Sequence, residues 1–329
     1  MRIWYDALTG KHVRYGTAIA RRLRSKGHQV ILTTRKHPDT LGVAGFLGEK
    51  FKVIGQYNPE SLLTRLQSSA HRQLAFCRMF EKEQPDVAIS HGSADLCRVA
   101  FGLGKPVITT LDTPYADAVH RLTLPLSRYV VMSKSIAAET LQKYNVDAET
   151  VCFDGVDEVA WVKGFKPQVK YDFGKPLIVV RQLEEKAVYA QNAVDMVALA
   201  QGLTRLGTVV FLSRYQRKTV KGLVVPRGFV DSVSLAAQAD LFIGVGGTIT
   251  REAALQGTPA IILNVFQKQE PNDFLIQKRF PIFKAEFSEV LELAEKLVGK
   301  KVNVKPLLKK LEDPVDTVEK LVNRIEENQ

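Results

Sequence analysis

A chain of 329 residues with 45% hydrophobic and 25% charged residues has the composition of a soluble globular protein, and it is long enough for two domains of ordinary size. No apolar run approaches the roughly eighteen residues of a membrane-spanning helix, and no signal peptide opens the chain. The net charge of +11 favours anionic partners such as nucleotide diphosphates, whereas nucleic acid is not expected because no recognised nucleic-acid-binding module accompanies the charge.

The expected compartment is the cytoplasm. The cysteines are scattered, odd in number and without metal-ligand spacing, and the histidines form no cluster, so the sequence predicts no metal site. Basic residues strongly outnumber acidic ones between Met1 and Lys36. Peripheral contact with an anionic membrane is therefore a further expectation, with solvated helix faces as the alternative explanation of the charge.

The first half of the chain alternates short apolar runs with amphipathic stretches, which predicts a parallel sheet of the Rossmann type. It opens with a strand over residues 2–6, a glycine-containing turn that ends at His12, a helix over residues 13–26 and a strand over residues 29–34. Further strands are predicted over residues 51–54, 87–90, 106–111, 128–132 and 150–153.

Residues 154–174 lack periodicity and contain several glycines, so they are interpreted as the connection between two domains. The predicted organisation is a first domain over residues 1–160, a second over residues 174–312 and a terminal helical segment over residues 313–329. Helices are predicted over residues 187–203 in the second domain and residues 306–327 at the end of the chain.

The stretch from Asp240 to Asn264 carries the clearest functional signal. A buried strand over residues 241–243 stops at a run of glycines that includes Gly246 and Gly247, and a helix then begins at Thr248. This arrangement directs free backbone N–H groups at one point and most often binds a phosphate. A tight turn without a ligand is the alternative. Glu252 lies where it could accept hydrogen bonds from a ribose, or simply stabilise the helix N-terminus.

Four motifs in this half resemble the donor half of GT-B glycosyltransferases. They are Gly228-Phe229-Val230-Asp231, Leu235 to Asp240, Gly246 to Glu252 and Gly257-Thr258-Pro259-Ala260. The closest comparison is the bacterial N-acetylglucosaminyltransferase that acts on lipid-linked muramoyl-pentapeptide, and UDP-N-acetylglucosamine 2-epimerases are more distantly similar. From Met1 to about Lys296 the chain most resembles the largely archaeal domain-of-unknown-function family 354, which is itself GT-B-like. The resemblance implies an α/β GT-B fold with two Rossmann-like domains facing a central cleft and a C-terminal helix that crosses back.

In the first domain, the resemblance implies that a histidine in the first turn removes a proton from the acceptor, and His12 occupies that place. An imidazole suits a general base, with Asp6 as an orienting partner, and helix packing is the alternative role. Asp112 is a further candidate base, or a turn former before Thr113-Pro114. His91 and Ser93 are acceptor-side candidates that resemble the His-Gly-Asp-Thr motif of the epimerases, although Ser93 also suits a helix N-cap.

In the second domain, Arg181 ends a predicted strand where a guanidinium could bind the donor diphosphate. The epimerases carry a His-Arg pair at this turn, and the absence of that histidine argues against their mechanism. Gln269 and Asn272 follow a strand where the muramoyl-pentapeptide enzyme holds the donor sugar, with an N-cap role for Asn272 as the alternative.

The leading hypothesis is a metal-independent glycosyltransferase without a cofactor, which moves a sugar from a nucleotide-diphosphate donor, expected to be UDP-linked, to an unknown acceptor. A lipid-linked acceptor is one option. In that hypothesis Gly246, Gly247, Thr248 and Arg181 stabilise the leaving diphosphate. A nucleotide-sugar epimerase or hydrolase is the second hypothesis. A non-catalytic nucleotide-sugar-binding subunit is the third.

Overall fold

Strands and helices alternate along the computed structural model, which describes residues 1–144, 146–182, 195–213, 219–265 and 269–328. The chain divides into two units, each with its own sheet. Unit 1 comprises residues 1–161 and 312–329, and unit 2 comprises residues 162–311. Every paired strand in both sheets is parallel, which confirms the predicted α/β class.

The sheet of unit 1 has seven strands in the order β3-β2-β1-β4-β5-β6-β7, and that of unit 2 has five in the order β12-β11-β10-β8-β9. The strands are β1 Arg2–Ala7, β2 Gln29–Lys36, β3 Lys52–Gln56, β4 Val87–Ser90, β5 Val107–Leu111, β6 Tyr129–Ser133, β7 Glu149–Phe153, β8 Leu177–Arg181, β9 Thr208–Leu212, β10 Leu241–Gly244, β11 Ala260–Leu263 and β12 Ile282–Ala285.

The helices connect these strands and lie on the faces of the sheets. They are α1 Gly10–Ser25, α2 Pro38–Leu47, α3 Leu62–Glu83, α4 Ala94–Gly102, α5 Asp117–Thr123, α6 Val159–Val162, α7 Met196–Gly202, α8 Ser232–Gln238, α9 Thr248–Ala254, α10 Glu270–Gln277, α11 Val290–Leu297, α12 Lys305–Leu308 and α13 Pro314–Glu326. Short 3-10 segments occur at Leu124–Leu126, Ala138–Tyr144, Leu203–Arg205 and Phe287–Glu289.

Strand β1 shows why the apolar runs of unit 1 form a sheet that is buried on both faces. Ile3 and Tyr5 belong to one core with α1 and α13, whereas Trp4 belongs to a second core with Phe76 of α3. Successive side chains of a strand point to opposite faces, so one continuous apolar run serves both cores. The carboxyl ends of the parallel strands then meet at one edge, where polar residues follow them.

Helix α13 packs into unit 1, because its apolar stripe of Val318, Leu321 and Val322 is buried in the same core as α1. Its acidic side chains pair with the basic opening segment. Arg22 contacts Asp316 and lies 2.9 Å from Glu319, and Lys26 Nζ lies 3.1 Å from a carboxylate oxygen of Glu319. Part of the charge that motivated the expected membrane contact is therefore offset within the fold.

Some predicted elements differ in extent. The helix predicted over residues 306–327 is divided into α12 and α13, because Asp313 caps a new helix that has Pro314 in its first turn. Residues 187–194 of another predicted helix lie outside the described residues, and α7 covers Met196–Gly202. Within the part of the chain that the structure describes, no helix is long and apolar enough to cross a membrane.

Candidate functional site

Unit 1 gathers polar side chains at the carboxyl edge of its sheet. Lys11 and His12 lie in the first turn of α1, which directly follows β1. His91 follows β4, Asp112 follows β5, and Asp157 comes after β7. Carboxyl ends of neighbouring parallel strands meet at one edge, so residues that are far apart in sequence come together here. We call these five residues the polar cluster.

Lys11 holds the carboxylates of the polar cluster together. Its ammonium contacts the Asp112 carboxylate, and its Nζ atom lies 2.8 Å from Asp157 Oδ2 and 3.8 Å from Glu158 Oε1. Asp157 and Glu158 are almost completely buried, with exposed fractions of 2% and 1%. Buried carboxylates need a nearby positive charge, and the ammonium supplies it.

His91 lies between the two aspartates of the polar cluster. Its Nε2 atom is 3.6 Å from Asp112 Oδ1 and 3.6 Å from Asp157 Oδ2. On the other side of the ring, Nδ1 is 2.6 Å from the Thr110 hydroxyl oxygen. These contacts fix the orientation of the ring, and a proton on Nε2 would face both carboxylates.

The same three residues are the candidate metal ligands among the described residues. His91, Asp112 and Asp157 offer one nitrogen and two oxygen atoms within 4.8 Å of one another. Imidazole and carboxylate are suitable ligands for divalent ions such as Zn²⁺ or Mn²⁺. The Lys11 ammonium contacts both carboxylates, however, so a metal ion would have to displace a side-chain cation from them.

Within the polar cluster, the ring of His12 lies edge-on to that of His91, and the two ring centroids are 4.6 Å apart. Burial, followed by the nearby His91 and Lys11, lowers the pKa of His12 well below 6.5, so the imidazole is neutral at pH 7. The backbone N–H of Leu8 donates to Nδ1 at 3.4 Å, which places the proton of the neutral ring on Nε2. For Nε2 to accept a proton, the ring must first adopt its other tautomer.

The structure does not bring Asp6 to His12. Asp6 is completely buried and accepts hydrogen bonds from Arg72, from Thr33 at 2.7 Å and from Ser93 at 2.6 Å. Ser93 also caps α4 through the backbone N–H of Leu96. Both oxygens of Asp6 are engaged in these contacts, so Asp6 connects strands and helices of unit 1 and does not orient the His12 ring.

In unit 2, the glycine turn after β10 is built around Gly246. Gly246 has a φ of +91°, and a Cβ atom there would lie 1.6 Å from Gln269 Oε1 and 2.6 Å from Asn272 Nδ2. Asn272 Nδ2 donates to the Gly246 carbonyl at 2.7 Å and to Gln269 Oε1 at 2.7 Å. Only glycine fits this position, because the conformation is left-handed and the amides pack directly against the backbone.

Asn272 of α10 packs against this turn and has an unused hydrogen-bond acceptor. It is 1% exposed, and its Oδ1 atom has no hydrogen-bond partner among the described residues. Asn272 lies inside α10, whose N-cap is Gln269, so the alternative N-cap role for Asn272 is wrong. A buried acceptor without a partner costs free energy, which a donor group of a ligand would recover.

Gly247 contrasts with Gly246. It is the N-cap of α9, and a Cβ built on it meets no atom of the described residues within 4 Å. The backbone before Thr248 is therefore open where the sequence predicts a phosphate. Arg181 ends the neighbouring strand β8, and its Cβ atom lies 3.7 Å from where a Cβ of Gly244 would be. Adjacent segments at one edge of the sheet thus supply Gly247 and Thr248, Arg181, and the side-chain amides of Gln269 and Asn272.

Glu252 is placed deeper than a surface ribose ligand would be. It is completely buried in α9, and the hydroxyl of Ser232 at the start of α8 donates to its Oε2 at 2.7 Å. The carboxylate therefore has at least one partner within unit 2. A ribose role would add hydrogen bonds to this contact.

Sequence reasoning did not identify Lys11 and Asp157 as parts of the site. Lys11 adjoins His12, and Asp157 follows the last strand of unit 1, so their positions at the ends of strands were the available signal. Their contact joins residues 146 positions apart, which no local pattern contains.

Comparisons with known proteins show which relatives and which solved structures the chain resembles. The uncharacterized protein MJ0665 of Methanocaldococcus jannaschii is 27% identical over 332 residues, which cover 95% of each chain. The solved UDP-GlcNAc 2-epimerase of the same organism is 14% identical with a TM-score of 0.71, covering 98% of this chain and 100% of that one. The glycosyltransferase SnogD of Streptomyces nogalater is 16% identical with a TM-score of 0.62, covering 98% and 99%.

At these identities the solved structures establish the fold, and the two parallel sheets flanked by helices match GT-B glycosyltransferases, as predicted. The model of the family described as "Protein of unknown function (DUF354)" matches residues 1–327. The chain therefore belongs to this family of unknown function, as its sequence motifs predicted.

Proposed function

We propose that this protein is a GT-B glycosyltransferase whose unit 2 binds a nucleotide-diphosphate sugar. The observation that carries the proposal is the glycine turn after β10. Gln269 and Asn272 hold the turn from one side, and the backbone at Gly247 is open on the other. The similar structures include a UDP-GlcNAc 2-epimerase bound to UDP-GlcNAc and a glycosyltransferase in complex with dTDP, which supports a nucleotide sugar as the donor.

In the proposed reaction, unit 2 stabilises the leaving group. The bond between the anomeric carbon of the sugar and the diphosphate oxygen breaks, and negative charge develops on the diphosphate. Backbone N–H groups near Gly247 and Thr248 and the Arg181 guanidinium would donate to this charge. Helix α9 has only seven residues, so the proposal rests on these local donors and not on the helix dipole. Asn272 would bind the sugar and Glu252 the ribose.

Unit 1 would supply the base. A hydroxyl oxygen of the acceptor forms the new bond to the anomeric carbon, and its proton passes to the base. His12 is neutral at pH 7, as a base must be, and Asp112 is the second candidate. His91 and Lys11 would then keep the pKa of His12 low, because their positive charges disfavour a protonated His12 ring.

An epimerase or hydrolase is the second candidate function, and the polar cluster favours it. The cluster places acid and base groups within a few ångströms of one another, in the side chains of Asp112, Asp157 and His91. These groups could move protons on a nucleotide sugar when no sugar-accepting substrate is bound. The fold similarity to a UDP-GlcNAc 2-epimerase supports the same candidate.

Incubation with a panel of UDP-, GDP- and dTDP-sugars tests the proposal, with free nucleotide and sugar products followed by chromatography. A transferase releases nucleoside diphosphate only when a suitable acceptor extract is present. Release of free sugar without an acceptor would identify a hydrolase, and a new nucleotide sugar would identify an epimerase. Either result would replace the transferase proposal.

A further inference from the structure

A pocket in unit 1, whose lining shares no residue with the polar cluster, is lined mainly by basic and polar side chains. It has a volume of about 170 Å³. Strand β2 contributes Arg35, the segment after β3 contributes Tyr57 and Asn58, and the first turns of α3 contribute Arg65 and Ser68. We call it the arginine pocket.

Arg35 makes no direct ion pair among the described residues, although the carboxylates of Asp6 and Asp95 lie near enough to favour its positive charge. Among the described residues its guanidinium makes no hydrogen bond or ion pair, and its buried Nε atom has no partner. Burial and the neighbouring Arg72 lower the pKa of Arg35, because both disfavour its positive charge. The guanidinium carbon lies 4.4 Å from the ring centroid of Tyr57, so the side chain is held in place by stacking.

Arg72 differs from Arg35, because acidic residues neutralise it. It pairs with Asp6 and lies 3.2 Å from Asp95 Oδ2, and Asp95 also accepts a hydrogen bond from Ser69. Asp95, the acidic side chain in the lining of the pocket, is therefore paired with other residues of unit 1. Arg65 makes no ion pair within the described ranges, and its guanidinium donates one hydrogen bond there, to the carbonyl of Pro59 at 3.4 Å.

We propose that the arginine pocket binds a phosphate group, with Arg35 and Arg65 as its charged donors and Asn58 and Ser68 as neutral ones. Several donors that converge from three segments suit the multiple oxygens and double charge of a phosphate better than a carboxylate. The site goes beyond the proposed function, because the predicted donor site lies in unit 2.

The phosphate could belong to a small soluble molecule or to a lipid headgroup. Leu62 and Leu66 flank Arg65 on α3 with exposed fractions of 81% and 68%. An apolar surface beside a phosphate site would suit a lipid, so the test compares both sources.

Calorimetry with inorganic phosphate and with glycerol 3-phosphate, at about physiological salt, tests the proposal. All proteins carry Gly247→Val, so that phosphate bound at the glycine turn does not contribute. Arg35→Ala and Arg65→Ala should each weaken binding about tenfold or more, the usual effect of losing a hydrogen bond between charged groups. Arg78→Ala is the matched control, because this exposed arginine lies farther along α3 and should leave affinity unchanged.

Vesicles of phosphatidylcholine with phosphatidic acid provide the lipid arm. If a lipid is the source, these vesicles bind, and Leu62→Ser with Leu66→Ser weakens vesicle binding while calorimetric affinity for phosphate is kept. If a soluble molecule is the source, phosphate binds and the vesicles do not. The proposal is overturned if neither probe binds, or if Arg78→Ala weakens binding as much as Arg35→Ala. Arg65 is exposed, so its variant remains informative if Arg35→Ala fails to fold.

Discussion

His12 is the residue whose substitution distinguishes a transferase from a passive binding protein. With an active donor and acceptor, His12→Ala should lower kcat about a hundredfold or more, the usual contribution of positioned proton transfer. Its affinity for UDP should be unchanged, because the proposed donor site lies in unit 2. Steady-state kinetics and calorimetry measure both quantities. If the variant keeps full turnover, the base must be sought at Asp112, whose Asp112→Asn variant is the matched comparison.

The pH dependence of the activity should reflect the lowered pKa of His12. Burial, His91 and Lys11 favour the neutral ring, so the acidic limb of the kcat profile should lie below pH 6.5. A limb at or above that value would contradict the assignment.

Stability should respond to His12 in the same direction. As pH falls through 6.5, the unfolded chain takes up a proton that the folded His12 resists, so the stabilising contribution of the neutral ring is present above 6.5 and is lost below it. The wild type should therefore lose more unfolding free energy than His12→Ala between about pH 7.5 and pH 5.5. Urea titrations at both pH values measure the difference, and equal losses would show that the ring is solvated.

At the scale of elements, the glycine turn after β10 should tolerate a Cβ at Gly247 but not at Gly246. Gly246→Ala forces a left-handed conformation on a residue with a side chain and drives Cβ into Gln269, at a cost of at least about 1–3 kcal/mol. Hydrogen exchange in peptides from β10 and α9 should accelerate in Gly246→Ala. Gly247→Ala is the control, and it should exchange as the wild type does. Equal exchange in both variants would contradict the described turn.

The same turn shows which parts of the site the sequence could predict. Strand, glycines and helix are contiguous, so Gly246, Gly247 and Thr248 could be recognised from local pattern alone. The polar cluster could be recognised only in part. His12, His91 and Asp112 each follow a strand, but the contact of Lys11 with Asp157 depends on the order of strands in the sheet, which periodicity does not encode.

The partners of buried and charged side chains could not be predicted either, because they come from distant parts of the chain. The sequence predicts that Asp6 orients His12, because the two residues lie at either end of the segment that follows the first strand. The buried guanidinium of Arg72, which comes from α3, binds Asp6 instead. Basic residues of the opening segment similarly form ion pairs with acidic residues of α13, about 300 residues away in the chain. The charge counted along the sequence therefore overstates the net charge on this surface.

At the scale of the whole molecule, unit 1 is assembled from both ends of the chain. Leu321 of α13 is 4% exposed in the core of unit 1, so Leu321→Ala should destabilise this unit by about 2–5 kcal/mol. Both tryptophans of the chain, Trp4 and Trp161, belong to unit 1, so their fluorescence during urea titration reports this unit alone. Leu62→Ala, at an exposed position, should change stability by less than about 0.5 kcal/mol. If the two variants unfold together, α13 does not stabilise unit 1.

The most direct test of the central claim is calorimetry of UDP binding to the wild type, Gly247→Val and Gly45→Val. Each variant adds the same side chain at a glycine where a Cβ meets no atom within 4 Å in the part of the chain that the structure describes, but Gly45 lies on α2 of unit 1. The proposal predicts that the wild type and Gly45→Val bind UDP with the same affinity, whereas Gly247→Val loses measurable binding while its thermal unfolding is unchanged. If Gly247→Val binds UDP as tightly as the wild type, the glycine turn is not the diphosphate site.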